Sequence, residues 1–170
     1  TIESLLNHLF NLKKKLHFKT LLLSDERIVD TKSKLRNDKM IKRFIKLKTI
    51  NTKKLINYKS SNINKKNLTK ISNLISKVKF DYCLLSLGSN CHVASIFNFK
   101  SNENANFYSI ENSPKKPRKR VTVSKKIISN CKKIFLIANY NEKKKEISNV
   151  FKNSFFKKLR NKLVLLIYKN

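Results

Sequence analysis

The sequence predicts an α/β fold, a mostly parallel sheet flanked by helices. Two observations predict it. Short apolar runs of strand length alternate with segments whose apolar residues recur at helical spacing, and such alternation marks strand–helix–strand units. The chain has 170 residues, 40% of them hydrophobic, which is the length of one domain and enough to bury a core. Residues 1–170 are therefore read as a single domain.

The elements follow in order. Ile2, Leu5, Leu6 and Leu9 recur at helical spacing and open the chain with an amphipathic helix. Thr20 to Leu23 is a buried strand that runs into the charged loop Ser24-Asp25-Glu26-Arg27. Met40, Ile41, Phe44 and Ile45 place a helix near residues 37–45. Residues 49–66 are polar, lysine-rich and only weakly periodic, so no element is assigned there. Leu68, Ile71, Leu74, Ile75 and Val78 mark the next helical face. Phe80 to Leu87 is the best strand, and it stops at Gly88, read as a turn that needs a permissive backbone. A helix of small residues is expected from His92 to Phe97, and a loop over residues 98–106. Strands are expected at Arg120–Val123, Ile134–Ala138 and Leu163–Tyr168, with a charged helix near residues 141–151. In parallel sheets ligands sit beyond the carboxyl ends of the strands. The Asp25–Arg27 and Gly88–His92 loops both lie at such ends, so two polar loops share one edge.

Composition narrows the function classes. Lys and Arg number 40 against 10 Asp and Glu, a formal charge of +30. Clustered cations would point to nucleic acid. Here the lysines are spread along the chain, and Lys, Asn and Ile are abundant while Gly falls to 1 and Pro to 2. An A/T-biased coding sequence gives that pattern, so nucleic acid is ranked low as a partner. Cys83, Cys91 and Cys131 form no C-x-x-C pair, so neither a zinc site nor a disulfide framework is expected. No apolar run approaches the about 20 residues of a membrane helix. No leader opens the chain. A cytoplasmic protein without a membrane partner is expected. The chain starts at Thr1, not Met, and is read as processed or as a fragment.

The single glycine and both prolines fall in two short segments, and these carry a resemblance. Asp25-Glu26-Arg27-Ile28-Val29 resembles the D-E-R-x-V motif of the 6-phosphogluconolactonases. Asn37 falls where that family carries the Asn of an S-N pair. Leu85 to Phe97, reading L-S-L-G-S-N-C-H-V-A-S-I-F, is similar to the family's L-G-x-G-x-D-G-H-x-A-S-L-F loop. Pro114-Lys115-Lys116-Pro117 with Arg120 is similar to its P-K-x-P-x-x-R segment. Lys143 falls where the family has a lysine at a helix start. The pieces are in register over nearly the whole chain. The related glucosamine-6-phosphate deaminases share the fold, but Arg27 and Ala94-Ser95-Ile96-Phe97 resemble the lactonase branch.

The resemblance implies a Rossmann-like α/β fold and hydrolysis of 6-phospho-D-glucono-1,5-lactone to 6-phosphogluconate in the pentose phosphate pathway, with no metal and no organic cofactor. It implies that His92 is the base that takes a proton from water, a task that suits imidazole. His8 and His17 carry no such implication. It assigns Arg27, Arg120, Lys143, Gly88, Asn37, Asp25 and Thr1 to the substrate and its phosphate. Arg27 and Arg120 are preferred over Lys143, since a guanidinium fork suits phosphate. Thr1 resembles the residue after the family's Gly-rich phosphate loop, so the first strand and most of that loop are expected upstream of this chain. Three positions depart from the pattern. Asn90 replaces an Asp, Cys91 a Gly, and Ser86 an earlier Gly. A left-handed backbone at Cys91 would cost about 1–2 kcal/mol. The alternatives are a phosphosugar-binding homologue without turnover, which Asn90 and Cys91 favour, and a basic nucleic-acid-binding protein. The sequence assigns no oligomeric state. His92, Arg27 and Arg120 are expected in one cleft.

Overall fold

The computed structural model of the chain describes residues 2–100 and 103–169; Thr1 lies outside the described residues. The elements are α1 (Ile2–Asn11), β1 (Leu16–Leu22), β2 (Asp25–Arg27), α2 (Asn37–Lys46), β3 (Ile50–Ile56), α3 (Lys65–Ser76), β4 (Tyr82–Ser86), β5 (Phe107–Ile110), β6 (Arg120–Val123), α4 (Lys125–Ser129), β7 (Lys133–Asn139), α5 (Tyr140–Asn149), α6 (Ser154–Lys158) and β8 (Leu163–Tyr168). β1 pairs in parallel with β3, and β7 lies between β4 and β8 with both pairings parallel. The short strands β2 and β5 flank β6 in an antiparallel sheet. The fold is thus α/β with parallel sheets flanked by helices. Parallel neighbours need crossovers, and α2 supplies the one between β1 and β3.

Several expectations change. Asp25–Arg27 is an antiparallel strand and not a loop, because β6 supplies the ladder partner. β3 lies in the stretch left without an element. Its ends, Ile50 and Ile56, are buried, while Asn51, Lys53 and Lys54 face solvent. Lysines along a strand that pairs on one side only are ordinary edge protection, and they erase the alternating pattern. The helix expected at 92–97 is absent. Ala94 has φ 49°, and Val93 and Ile96 form a bridge across a tight turn instead.

Two apolar clusters hold the layers. Leu6 of α1, Leu23, Ile41 and Phe44 of α2, and Ile50 of β3 form one. Leu85, Val121, Ile134, Leu136, Val150 and Phe156 belong to the other. Between α2 and the antiparallel sheet lies a buried polar network. No side chain at Arg36 caps α2. The Glu26 carboxylate does so from β2, accepting from the backbone N–H groups of Asn37 at 2.7 Å and Asp38 at 2.8 Å, and from Arg27 N–H at 2.8 Å. Arg36, itself buried, lies 3.7 Å from Glu26 and donates to Asp38 at 2.9 Å and to the Tyr58 carbonyl. Burial pushes the Glu26 carboxyl up despite three N–H donors and Arg36. Asp38 feels the same burial, but Lys42 and Arg36 outweigh it and hold its pKa down. Among the described residues no helix is long and apolar enough to cross a membrane.

Removing one member of a buried ion network leaves charge unpaired in low dielectric. Arg36→Ala should therefore destabilise the fold by about 3–5 kcal/mol in urea unfolding. Arg43→Ala breaks half-exposed contacts with Glu3 and Asn7 and removes a guanidinium lying over Phe44, and should cost less, about 1 kcal/mol.

Candidate active site

β4 and β7 are adjacent and parallel, so their carboxyl ends deliver two segments to one place. From β4 the chain passes Gly88, makes a short 3-10 turn at Ser89–Cys91 and reaches His92. From β7 it enters α5 directly, with the Asn139 side chain capping Asn141 N–H at 2.9 Å. Lys143 breaks the first turn of α5 with φ −128° and points its ammonium at Ser89 Oγ, 3.1 Å away.

The His92 loop is closed twice. Gly88 N–H donates to the His92 carbonyl at 2.8 Å, and His92 Nδ1 lies 2.6 Å from the Ser89 carbonyl. A carbonyl only accepts, so Nδ1 carries the hydrogen, and Nε2 of the neutral ring keeps its lone pair. Gly88 has φ −87° and ψ 172°, which any residue adopts. Its need is steric, not conformational, because a Cβ at residue 88 would overlap the His92 ring. The turn reading of Gly88 is corrected accordingly. The left-handed positions are Asn90, with φ 57°, and Cys91, with φ 60°. They are held from α5: Glu146 accepts from Asn90 N–H at 3.2 Å, and the Cys91 thiol donates to the Glu146 carbonyl at 3.5 Å.

β2 and β6 bring the other groups. Asp25 accepts from the Ser95 hydroxyl at 2.8 Å and from the Asn37 amide at 3.0 Å, which ties β2 to the turn after His92 and to the start of α2. Arg27 and Arg120 stand opposite each other in the β2–β6 ladder. Arg27 donates to the Leu35 carbonyl at 2.7 Å, while its buried Nε–H has no hydrogen-bond partner among the described residues. Arg120 is buried, 6% exposed. Its Nε donates to the Pro117 carbonyl at 3.0 Å, and one terminal nitrogen donates to the Lys116 and Lys115 carbonyls at 3.2 and 3.5 Å. The other lies 3.5 Å from Ser95 Oγ and 4.0 Å from Asp25. Lys115, carried by that loop, reaches Ser89 Oγ at 3.4 Å.

Electrostatics agree with this proximity. Burial lowers the His92 pKa below the usual imidazole value. Lys115 and Arg120 lower it further, against the Ser89 carbonyl and Asp25. Burial and Arg27 lower Arg120, while Asp25 raises it. His92, Asp25, Asn37, Gly88, Arg27, Arg120 and Lys143 thus share one neighbourhood. Asp25, Asn37 and Arg120 are engaged with protein groups, whereas Arg27 and Lys143 keep donor capacity. Ser89, Lys115 and Glu146 belong to the same place and were not singled out from sequence. Lys115 was visible in the quoted segment. Glu146 gave no local signal.

Parallel strands whose carboxyl ends carry an imidazole among converging cations define the class: an α/β protein with a cluster of cations around a histidine where its parallel strands end. The chain belongs to the family of glucosamine-6-phosphate isomerases/6-phosphogluconolactonase, whose model matches residues 1–161. Solved structures share its fold. The 6-phosphogluconolactonase from Thermotoga maritima has TM-score 0.71 at 18% identity, covering 99% of this chain and 92% of that one. A 6-phosphogluconolactonase from Shewanella baltica OS155 has TM-score 0.68 at 16% identity, covering 99% and 90%. That from Trypanosoma brucei has TM-score 0.62 at 18% identity, covering 86% and 70%. No curated protein matches the sequence.

The Gly88 contact is testable apart from activity. His92 should titrate below about 6.5 by NMR of the imidazole. In Gly88→Ala the added methyl displaces the ring toward water, and the midpoint should rise toward that value.

Proposed function

We propose that this chain hydrolyses the ring ester of a phosphorylated aldonolactone, 6-phospho-D-glucono-1,5-lactone, giving 6-phosphogluconate in the pentose phosphate pathway. One observation carries the reading: a neutral imidazole, its tautomer set by the Ser89 carbonyl, with Nε2 left to accept a proton beside a group of cations. Nε2 of His92 takes a proton from water as the water oxygen attacks the lactone carbonyl. The resulting imidazolium returns the proton to the ring oxygen as the C–O bond breaks. Arg27, half-buried and opposite Arg120, is read as a donor to substrate oxygens through its terminal nitrogens. Asp25 and Asn37 hold the loops that frame the site. Lys143, whose ammonium reaches Ser89 Oγ, is read as a ligand of the phosphate. The family also contains isomerases, so the branch is decided by assay.

The base acts in its neutral form. Activity on the phospholactone should rise with pH through the His92 pKa and level off, with the acid limb centred below about 6.5. His92→Ala should bring hydrolysis to the spontaneous rate. An unchanged rate in that variant would remove His92 from the mechanism. Phosphosugar binding without turnover, the reading that left-handed Asn90 and Cys91 favour, would be supported if the parent binds 6-phosphogluconate yet does not hydrolyse the lactone.

Position 90 gives a second test. The Asn90 residue is exposed, and the ring is oriented by Ser89. A carboxylate there acts only through its field, so Asn90→Asp should raise the His92 pKa and change the rate by less than about tenfold, the equivalent of one pKa unit.

A further inference from the structure

We infer that Lys115 is a direct ligand of the substrate phosphate, paired with Lys143 across the Ser89 hydroxyl, and that Arg120 is a positioning residue that folds the loop carrying Lys115. The inference rests on the proposed function for the identity of the anion.

The first observation is the pair itself. Lys115 Nζ lies 3.4 Å and Lys143 Nζ 3.1 Å from one oxygen, Ser89 Oγ. An ammonium has donors only. Two of them directed at one neutral hydroxyl repel each other and gain little from it. An anionic oxygen between them would meet both charges, and the serine hydroxyl could turn to donate its own hydrogen to it.

Compensation is the second observation. Among the described residues neither Lys115 nor Lys143 makes an ion pair. The nearby carboxylate, Glu146, accepts from Asn90 N–H and so braces the loop. Burial lowers the Lys115 pKa, and Lys143 and Arg120 lower it further, with Glu146 opposing. A pair of cations left uncompensated beside a neutral imidazole fits a dianion better than a single carboxylate, which one guanidinium fork would serve.

The third observation concerns Arg120. Its donors go to the carbonyls of Lys115, Lys116 and Pro117 and toward Ser95 and Asp25. Turning it toward a ligand would release three carbonyls of the segment that presents Lys115. Its effect on an anion therefore passes through the position of Lys115.

The test uses the full chain with 6-phosphogluconolactone, the unphosphorylated glucono-1,5-lactone, and calorimetric binding of 6-phosphogluconate and inorganic phosphate. Lys115→Ala should raise KM for the phospholactone and weaken 6-phosphogluconate by about tenfold or more. Hydrolysis of the unphosphorylated lactone should change less than that of the phospholactone, because there the substitution acts only through the field of Lys115 on His92. Lys119→Ala, which removes an equal charge from the same segment, should alter neither. Arg120→Lys keeps the charge but loses the fork, and should weaken phosphate binding. Combined with Lys115→Ala it should add little, because both changes act through one contact. Unchanged affinity for 6-phosphogluconate in Lys115→Ala overturns the inference, as do independent, multiplying effects of the two substitutions. If the parent hydrolyses neither lactone, the proposed function fails. Lys115-dependent binding of 6-phosphogluconate would then still support the clamp, and absence of such binding would overturn it.

Discussion

The imidazole of His92 lies where residue 88 would carry its Cβ, and the geometry around the ring depends on that contact. With the ring against the Gly88 backbone, Nδ1 meets the Ser89 carbonyl and Ser89 Oγ is left facing Lys115 and Lys143. Bringing the chain back over itself in so few residues forces Asn90 and Cys91 into left-handed backbone. Non-glycine residues there cost of order 1 kcal/mol each and persist only where their surroundings fix them. Helix α5 does the fixing through the Glu146 carboxylate and carbonyl. The helix that contributes Lys143 therefore also holds the loop that contributes His92.

A second constraint sets the opposite wall. Side chains of a strand alternate between faces. In the three-residue strand β2 this puts Glu26 inward and leaves Asp25 and Arg27 half-buried. Glu26 caps α2 and meets the buried Arg36, so the strand cannot slide along the helix without exposing orphaned N–H groups. Fixed in that way, Asp25 holds Ser95 and Asn37, and Arg27 comes opposite Arg120. The D-E-R motif interleaves two tasks by the period of a strand: Glu26 builds the fold, and its two neighbours meet Ser95, Asn37 and Arg120.

Elements with a strong apolar period were legible in the sequence. The faces of α1, α2 and α3 and the apolar runs of β4 and β7 pack into the two clusters, and β8 pairs with β7 while Leu166 and Ile167 stay exposed. β3 was not legible, because its one-sided pairing lets lysines occupy the middle of the strand. Ala94-Ser95 was read as helical from its small residues, whereas the contact of Ser95 with Asp25 and the bridge between Val93 and Ile96 are tertiary and leave no local period. Gly88 was conspicuous as the only glycine, but the sequence could not tell a conformational need from a steric one. Lys115 was hidden by its context. Among 40 Lys and Arg residues, one ammonium looks like solvated charge until a second is found beside the same hydroxyl.

The charge around His92 bears on how the proposed base would operate without a carboxylate partner at position 90. The acceptor that orients the ring is a backbone carbonyl, which no substitution at residue 90 removes while the turn is kept. What the missing carboxylate would add is stabilisation of the imidazolium. Burial disfavours a charged ring, and Lys115 and Arg120 add to that against the Ser89 carbonyl and Asp25. That favours the neutral ring the proposed base needs, but it weakens the driving force for accepting a proton. A dianion held between Lys115 and Lys143 would cancel part of that field only when substrate is present. His92 would then be more basic in the complex than in the free protein, and the phosphate, remote from the bond being broken, would supply the negative charge that Asn90 lacks.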